Sequence, residues 1–198
     1  MSEAVSNVEN IGKYLDYPTN TFYFIQVIKR RKENPEMLVA QQVLKCFYVD
    51  SPECFDKYIP RIISLCDDNN ARAYINLNKR NYERVTIEMI KYLAELNISK
   101  QYSVCAKAFE KVAGRNSNET GDSKKWILDV DTKDENYIND IINYVEYVSK
   151  PEKRKVKLVN ETKNGFHIIC SPFDPREFKN KFMDVEIKKD NPTILYVP

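Results

Sequence analysis

Histidine occurs once in these 198 residues, as His167, and tryptophan once, as Trp126. Only four glycines are present, so each is expected to have a backbone role. Neither sign of charge is in excess: the formal net charge is +2, which excludes a histone-like polycation and leaves room for a local basic groove. No apolar run approaches the roughly 18 residues needed to cross a bilayer. With no signal peptide either, no membrane association is expected. The five cysteines, Cys46, Cys54, Cys66, Cys105 and Cys170, are widely and irregularly spaced with no C-x-x-C pair. That pattern disfavours a structural zinc site and suits reduced thiols and a cytoplasmic location. No internal repeat is visible. What the chain does have is core material: 42% of its residues are hydrophobic, with 13 Tyr and 9 Phe, which argues against disorder. Its length suits a single domain with a substantial core.

Hydrophobic periodicity outlines the elements. Val8, Ile11 and Leu15 mark one or two helical turns in the polar stretch 1–20. Residues 22–29 are β-rich and apolar on both faces, as in an interior strand. Residues 36–49 fit a helix or a strand. A strand over 43–49 paired with 22–29 is preferred, because Asp50-Ser51-Pro52 then stops it and caps a helix. In that helix Phe55, Tyr58, Ile59, Ile62, Ile63 and Cys66 recur at helical spacing, with Pro60 placed to kink or split it. A turn is expected over 67–70, then a strand over 71–78 with Arg72, Tyr74, Asn76 and Asn78 on one face. Helices are predicted over 82–96 and 100–113, a polar loop over 114–123, and a strand over 124–130. An amphipathic helix comes next, carrying Ile138, Ile141, Ile142, Val145 and Val148, ended by Pro151. Strands over 155–160 and 166–170 are joined by a hairpin at 161–165. Asp174-Pro175 caps a short helix, and strands over 184–188 and 193–197 close the chain. The fold class is α/β (α+β), with a mainly antiparallel sheet.

Two groups of residues carry candidate chemistry. Asp129 and Asp131 stand at the end of the strand Trp126-Ile127-Leu128-Asp129-Val130-Asp131. Residues i and i+2 of a strand share a face, and two adjacent carboxylates repel unless a cation lies between them. Magnesium or manganese would relieve that repulsion; the competing reading is a strand running into a turn. The second group is Thr162-Lys163-Asn164-Gly165-Phe166-His167. A lone strand histidine is usually structural, but Gly165 permits close approach of a ligand to the backbone, and Thr162 and Lys163 suit phosphate.

Together, aliphatic-x-Asp-x-Asp, a helix, a hairpin and Ser/Thr-x-x-Gly-x-His on a strand resemble motifs I and II of the archaeo-eukaryotic primase (primase-polymerase) superfamily, convincingly over 124–198. The resemblance implies a single catalytic domain over 1–198: an N-terminal α/β module over 1–113 and an RNA-recognition-motif-like half over 124–198, with the active site between them. It implies a metal-dependent nucleotidyltransferase that adds nucleotides on a single-stranded DNA template. Asp129, Asp131 and a third carboxylate would hold Mg2+ or Mn2+. The third is Asp184, which fits the strand-start pattern of the family's third motif, or its rival Asp190. Thr162, Lys163, Gly165 and His167 would meet the nucleoside triphosphate, and Arg72 and Arg80, with Lys79, the nucleic acid. The chain is short for a complete primase and lacks a zinc module. This implies a minimal core of the phage or mobile-element kind working with a helicase, or a relative that binds nucleotide or DNA without polymerising. A third alternative is nuclease chemistry on the same acids, with His167 as general acid or base.

Overall fold

In the computed structural model, which describes residues 4–115, 119, 123–147 and 155–198, fifteen strands and helices succeed one another. The order is β1 (Val5–Ser6), α1 (Val8–Tyr14), β2 (Thr21–Arg30), β3 (Gln41–Val49), α2 (Pro52–Asn69), β4 (Arg72–Asn81), α3 (Tyr82–Ile98), a 3-10 turn over Tyr102–Lys107, α4 (Ala108–Ala113), β5 (Trp126–Val130), α5 (Glu135–Tyr147), β6 (Val156–Glu161), β7 (Phe166–Cys170), α6 (Pro175–Lys181), β8 (Glu186–Lys188) and β9 (Thr193–Val197). Val148 and Pro151, expected to extend and end α5, and residues 116–118 and 120–122 of the expected polar loop lie outside the described residues. Among the described residues no helix is long and apolar enough to cross a membrane.

Local chemistry explains both ends of α2. The Ser51 hydroxyl accepts the Cys54 N–H at 3.1 Å and Pro52 takes the first turn of α2. The cap satisfies one orphan donor, and proline's missing N–H costs nothing at a position where it would have had no partner. Pro60 neither splits nor ends α2, because Phe55, Ile62 and Cys66 hold the helix to the sheet on both sides of it. The turn expected over 67–70 begins later: residues 67–69 stay helical, and Asn70 alone takes the left-handed conformation that stops the helix. The helix expected over 100–113 is a 3-10 turn followed by α4.

The chain makes two antiparallel sheets. The first has the order β1-β9-β4-β2-β3, the second β6-β7-β5-β8. The second is a βαββαβ unit, β5-α5-β6-β7-α6-β8, with its first and third strands central, which is the RNA-recognition-motif arrangement. One of its faces packs Leu128, Val130 and Ile168 against Ile141 and Val145 of α5 and Phe178 of α6. The other face sends Ile127, Leu158 and Ile169 into a core shared with the first sheet, α1 and α2.

The first sheet also uses its two faces differently. Tyr23, Ile25 and Val27 of β2 join that shared core, while Phe22 and Phe24 pack under α3 and α4 with Val85, Val112 and Ala113. Strand alternation places Gln26, Ile28 and Arg30 on the same side as Phe22 and Phe24. Arg72 and Tyr74 join them from β4, where Arg72 is the Cα partner of Ile28 and Tyr74 of Gln26. These residues form one wall of a cleft.

Placement of β9 differs from the sequence-based division into halves. Expected in the C-terminal half, it crosses back to pair with β4 and β1. Thr193, Ile194 and Leu195 are all buried, and the free edge of β4 offers two-sided cover that the short edge strand β8 does not. Asn7 secures the crossing: its Nδ2 donates to the carbonyls of Glu161 (2.8 Å) and Ile194 (3.1 Å), and its Oδ1 accepts the Glu161 N–H at 3.0 Å.

Candidate functional site

Between the two sheets lies a cleft of about 640 Å³. Asp129, Asp131, Thr162, Lys163, Asn164, His167 and Lys188 line it from the second sheet; Gln26, Arg30, Lys32, Arg72 and Tyr74 line it from the first. Both motifs read from the sequence therefore meet at one cavity, and Arg72 faces them.

Asp129 is the most constrained group. β5 pairs with β7 so that Asp129 and His167 are direct Cα partners, and the His167 Nε2–H donates to Asp129 Oδ1 at 3.1 Å. The ammonium of Lys188 on β8 donates to the other carboxylate oxygen and lies 3.4 Å from Glu186. The His167 hydrogen bond, helped by Lys188 against the opposing effect of burial, pulls the Asp129 carboxyl down to about 2. Behind His167 the bonds continue in one direction. Its Nδ1 meets Thr193 Oγ1 at 2.9 Å, Asn160 Nδ2 donates to the same hydroxyl at 3.3 Å, and Asn10 Nδ2 donates to Asn160 Oδ1 at 3.1 Å. With Nε2 as donor, a neutral ring presents Nδ1 as acceptor and the Thr193 hydroxyl supplies the proton. A chain of side chains from α1, β6 and β9 thus orients the ring toward Asp129.

Asp131, expected to continue the strand, lies one residue past the end of β5; it is exposed and has no hydrogen bond or ion pair among the described residues. The 162–165 turn closes on itself: the Thr162 hydroxyl accepts the Gly165 N–H at 3.0 Å, and the Thr162 N–H donates to the Gly165 carbonyl at 2.8 Å. Lys163 projects exposed at the rim. Gly165 is needed for a reason other than the one expected. A Cβ there would fall 2.7 Å from the Thr132 nitrogen and closer still to the Val130 carbonyl oxygen, so the chain that approaches it is the end of β5 and not a ligand.

Across the cleft, Arg72 pairs with Glu33 at 2.6 Å, and Arg30 lies 3.7 Å from the same carboxylate. One acid thus serves two arginines beside Lys32. The Arg72 Nε donor is buried with no hydrogen-bond partner. One wall carries Asp129 and Asp131 beside Lys163 and Lys188, and the other carries Arg30, Lys32 and Arg72, a set that suits a polyphosphate bound together with its counter-cation.

Four expected site residues are placed elsewhere. Asp184 is exposed and accepts the Tyr137 hydroxyl of α5, on the helix side of the sheet. Asp190 accepts the Asn78 amide at 3.0 Å and lies 3.6 Å from Arg80. Neither carboxylate lines the cleft, so the assignment of either as third metal ligand is corrected. Arg80 is wholly buried, and its guanidinium donates to the carbonyls of Ala113 (2.8 Å), Asn78 (2.7 Å) and Arg115 (3.0 Å). A buried guanidinium engaged through all three of its nitrogens is a structural clamp, and the reading of Arg80 as a nucleic-acid contact is corrected. Lys79 is engaged as well, with Asp16 at 2.8 Å.

Among the described residues no group of three or more His, Cys, Asp or Glu side chains is arranged to hold a metal ion, so a resident three-carboxylate centre does not fit. Asp129 and Asp131, which both line the cleft, do fit an ion that arrives on a triphosphate, since magnesium is usually held by one or two carboxylates plus substrate phosphates. Sequence reasoning missed Lys188, Glu186, Thr193, Asn160 and Arg30. Alternation over Glu186-Ile187-Lys188 was the available signal for the first two: it puts both on one face, and Glu186 is the Cα partner of Asp129. Comparison with protein-family models, with curated proteins and with solved structures finds no match to this chain.

Proposed function

We propose that the cleft binds a nucleoside triphosphate with its divalent ion, and that the chain transfers nucleotides along a single-stranded template in the manner of a primase-polymerase. The observation that carries this is the meeting of Asp129, Asp131 and His167 with Arg30 and Arg72 in one cavity. Asp131 and Asp129 would hold the Mg2+ or Mn2+ that accompanies the triphosphate, an ion that screens phosphate charge and activates the attacking hydroxyl. His167, held by Thr193, presents an Nε2–H that passes from Asp129 to a phosphate oxygen. Arg72 and Arg30 take the phosphates from the other side, where they act by charge and position. His167, with Lys188, keeps Asp129 ionised before the substrate enters.

A primed single-stranded template, nucleoside triphosphates and manganese test this. Extension is expected in the wild type, with a loss of at least ~100-fold in Asp131→Ala; extension unchanged in Asp131→Ala contradicts it. A second reading is favoured by one observation: both oxygens of Asp129 are already engaged, by His167 and Lys188. On that reading the cleft binds nucleotide without transfer, within a replication machinery that includes a helicase. Tight triphosphate binding with no product on any template would select it.

A further inference from the structure

A second groove, of about 660 Å³, lies on the same face of the first sheet as the cleft and shares Gln26 with it. Lys107, Glu110, Lys111, Gly114 and Arg115 line one side, and Gln42 to Cys46 of the outer strand β3 the other. The first five recur at helical spacing, so they form one face of the helical segment; Ala108, Val112 and Ala113 on the opposite face are buried. Lys107, Lys111 and Arg115 have no ion pair among the described residues, and Glu110 is the one acid that lines the groove. Arg115 lies over Tyr92, 4.4 Å from the ring centroid, so its guanidinium is held in place to present a second planar face for a base.

We infer that this groove binds the phosphate backbone of a single-stranded nucleic acid and that Gln26 marks where the strand passes into the cleft. The inference rests on the proposed function only for the strand's destination; the binding itself needs neither triphosphate nor metal. Charge complementarity and continuity with the cleft favour a nucleic acid over other polyanions.

The test is fluorescence anisotropy of a labelled oligothymidylate with the full chain, without triphosphate or metal, across a salt series. In Lys107→Gln/Lys111→Gln/Arg115→Gln, binding is expected to weaken by on the order of tenfold or more, and the slope of log affinity against log salt to fall by about 2. Glu110→Gln should tighten binding, a change that damage to the fold would not produce. Binding unchanged in the triple variant but lost in Arg30→Gln/Arg72→Gln overturns the groove and leaves the proposed function standing. Absence of binding by the wild type at low salt overturns it, as does equal binding to anionic lipid vesicles. Strand binding lost in the triple variant, with no extension activity in the wild type, supports the groove and rejects the transfer reaction.

Discussion

Asp129 accepts from His167 on one oxygen and from Lys188 on the other, and these two donors set its acidity. The carboxyl lies near 2 in the folded chain, against about 4 when unfolded. A depressed carboxyl stabilises the fold above its unfolded value, and that contribution is lost as pH falls through the folded one. Urea midpoints should therefore fall between about pH 4 and pH 2. In Asp129→Asn stability at pH 7 should drop by on the order of 1 kcal/mol, after allowance for solvent screening, and the gap to wild type should close in that acid window. A gap that persists at about pH 2 would assign the loss to packing. Gly165→Ala should cost at least about 2–3 kcal/mol, because the added methyl meets the backbone of Val130 and Thr132 and not a side chain able to rotate away. A denaturation midpoint within error of wild type contradicts that account.

At the scale of elements, Arg80 joins the end of α4 to β4 through the carbonyls of Ala113 and Arg115. Arg80→Gln should lower stability by about 3 kcal/mol, as loss of a buried charged partner does, while the folded fraction keeps its affinity for triphosphate; a loss of affinity with no loss of stability would restore Arg80 to the binding site. The elements themselves were mostly legible in the sequence. β2, β5 and β7 are dense in β-branched and aromatic residues, β4 begins with an alternation of apolar and polar residues, and Ser51-Pro52 and Asp174-Pro175 are strong local start signals for α2 and α6. Residues 41–49 were legible only through the Asp50-Ser51-Pro52 stop at their C-terminal end, since their own pattern suits either period. The crossing of β9 was not legible: nothing in 193–197 distinguishes pairing with β8 from pairing with β4, and the choice is made by Asn7 and by burial on both faces. Likewise Asp184 and Asp190 looked like ligands because an acid near a strand end is visible in sequence, whereas the Tyr137 and Asn78 hydrogen bonds that turn them away are not.

For the molecule as a whole, the proposed function depends on the cleft lined from both sheets. Asn7 and Asn10 reach β6 and β9 from α1 and the residue before it, so the wall that carries Asp129 is tied to the first sheet by hydrogen bonds and a shared core. The motifs placed Asp129, Asp131 and His167 together, and only the fold could set Arg30 and Arg72 opposite them. Crystals grown or soaked with manganese and a slowly hydrolysed nucleoside triphosphate test the central claim most directly. The account expects manganese anomalous density between Asp131 and Asp129, with phosphates reaching His167 and Arg72. Triphosphate density away from the cleft, or an empty cleft at saturating manganese and nucleotide, would contradict it.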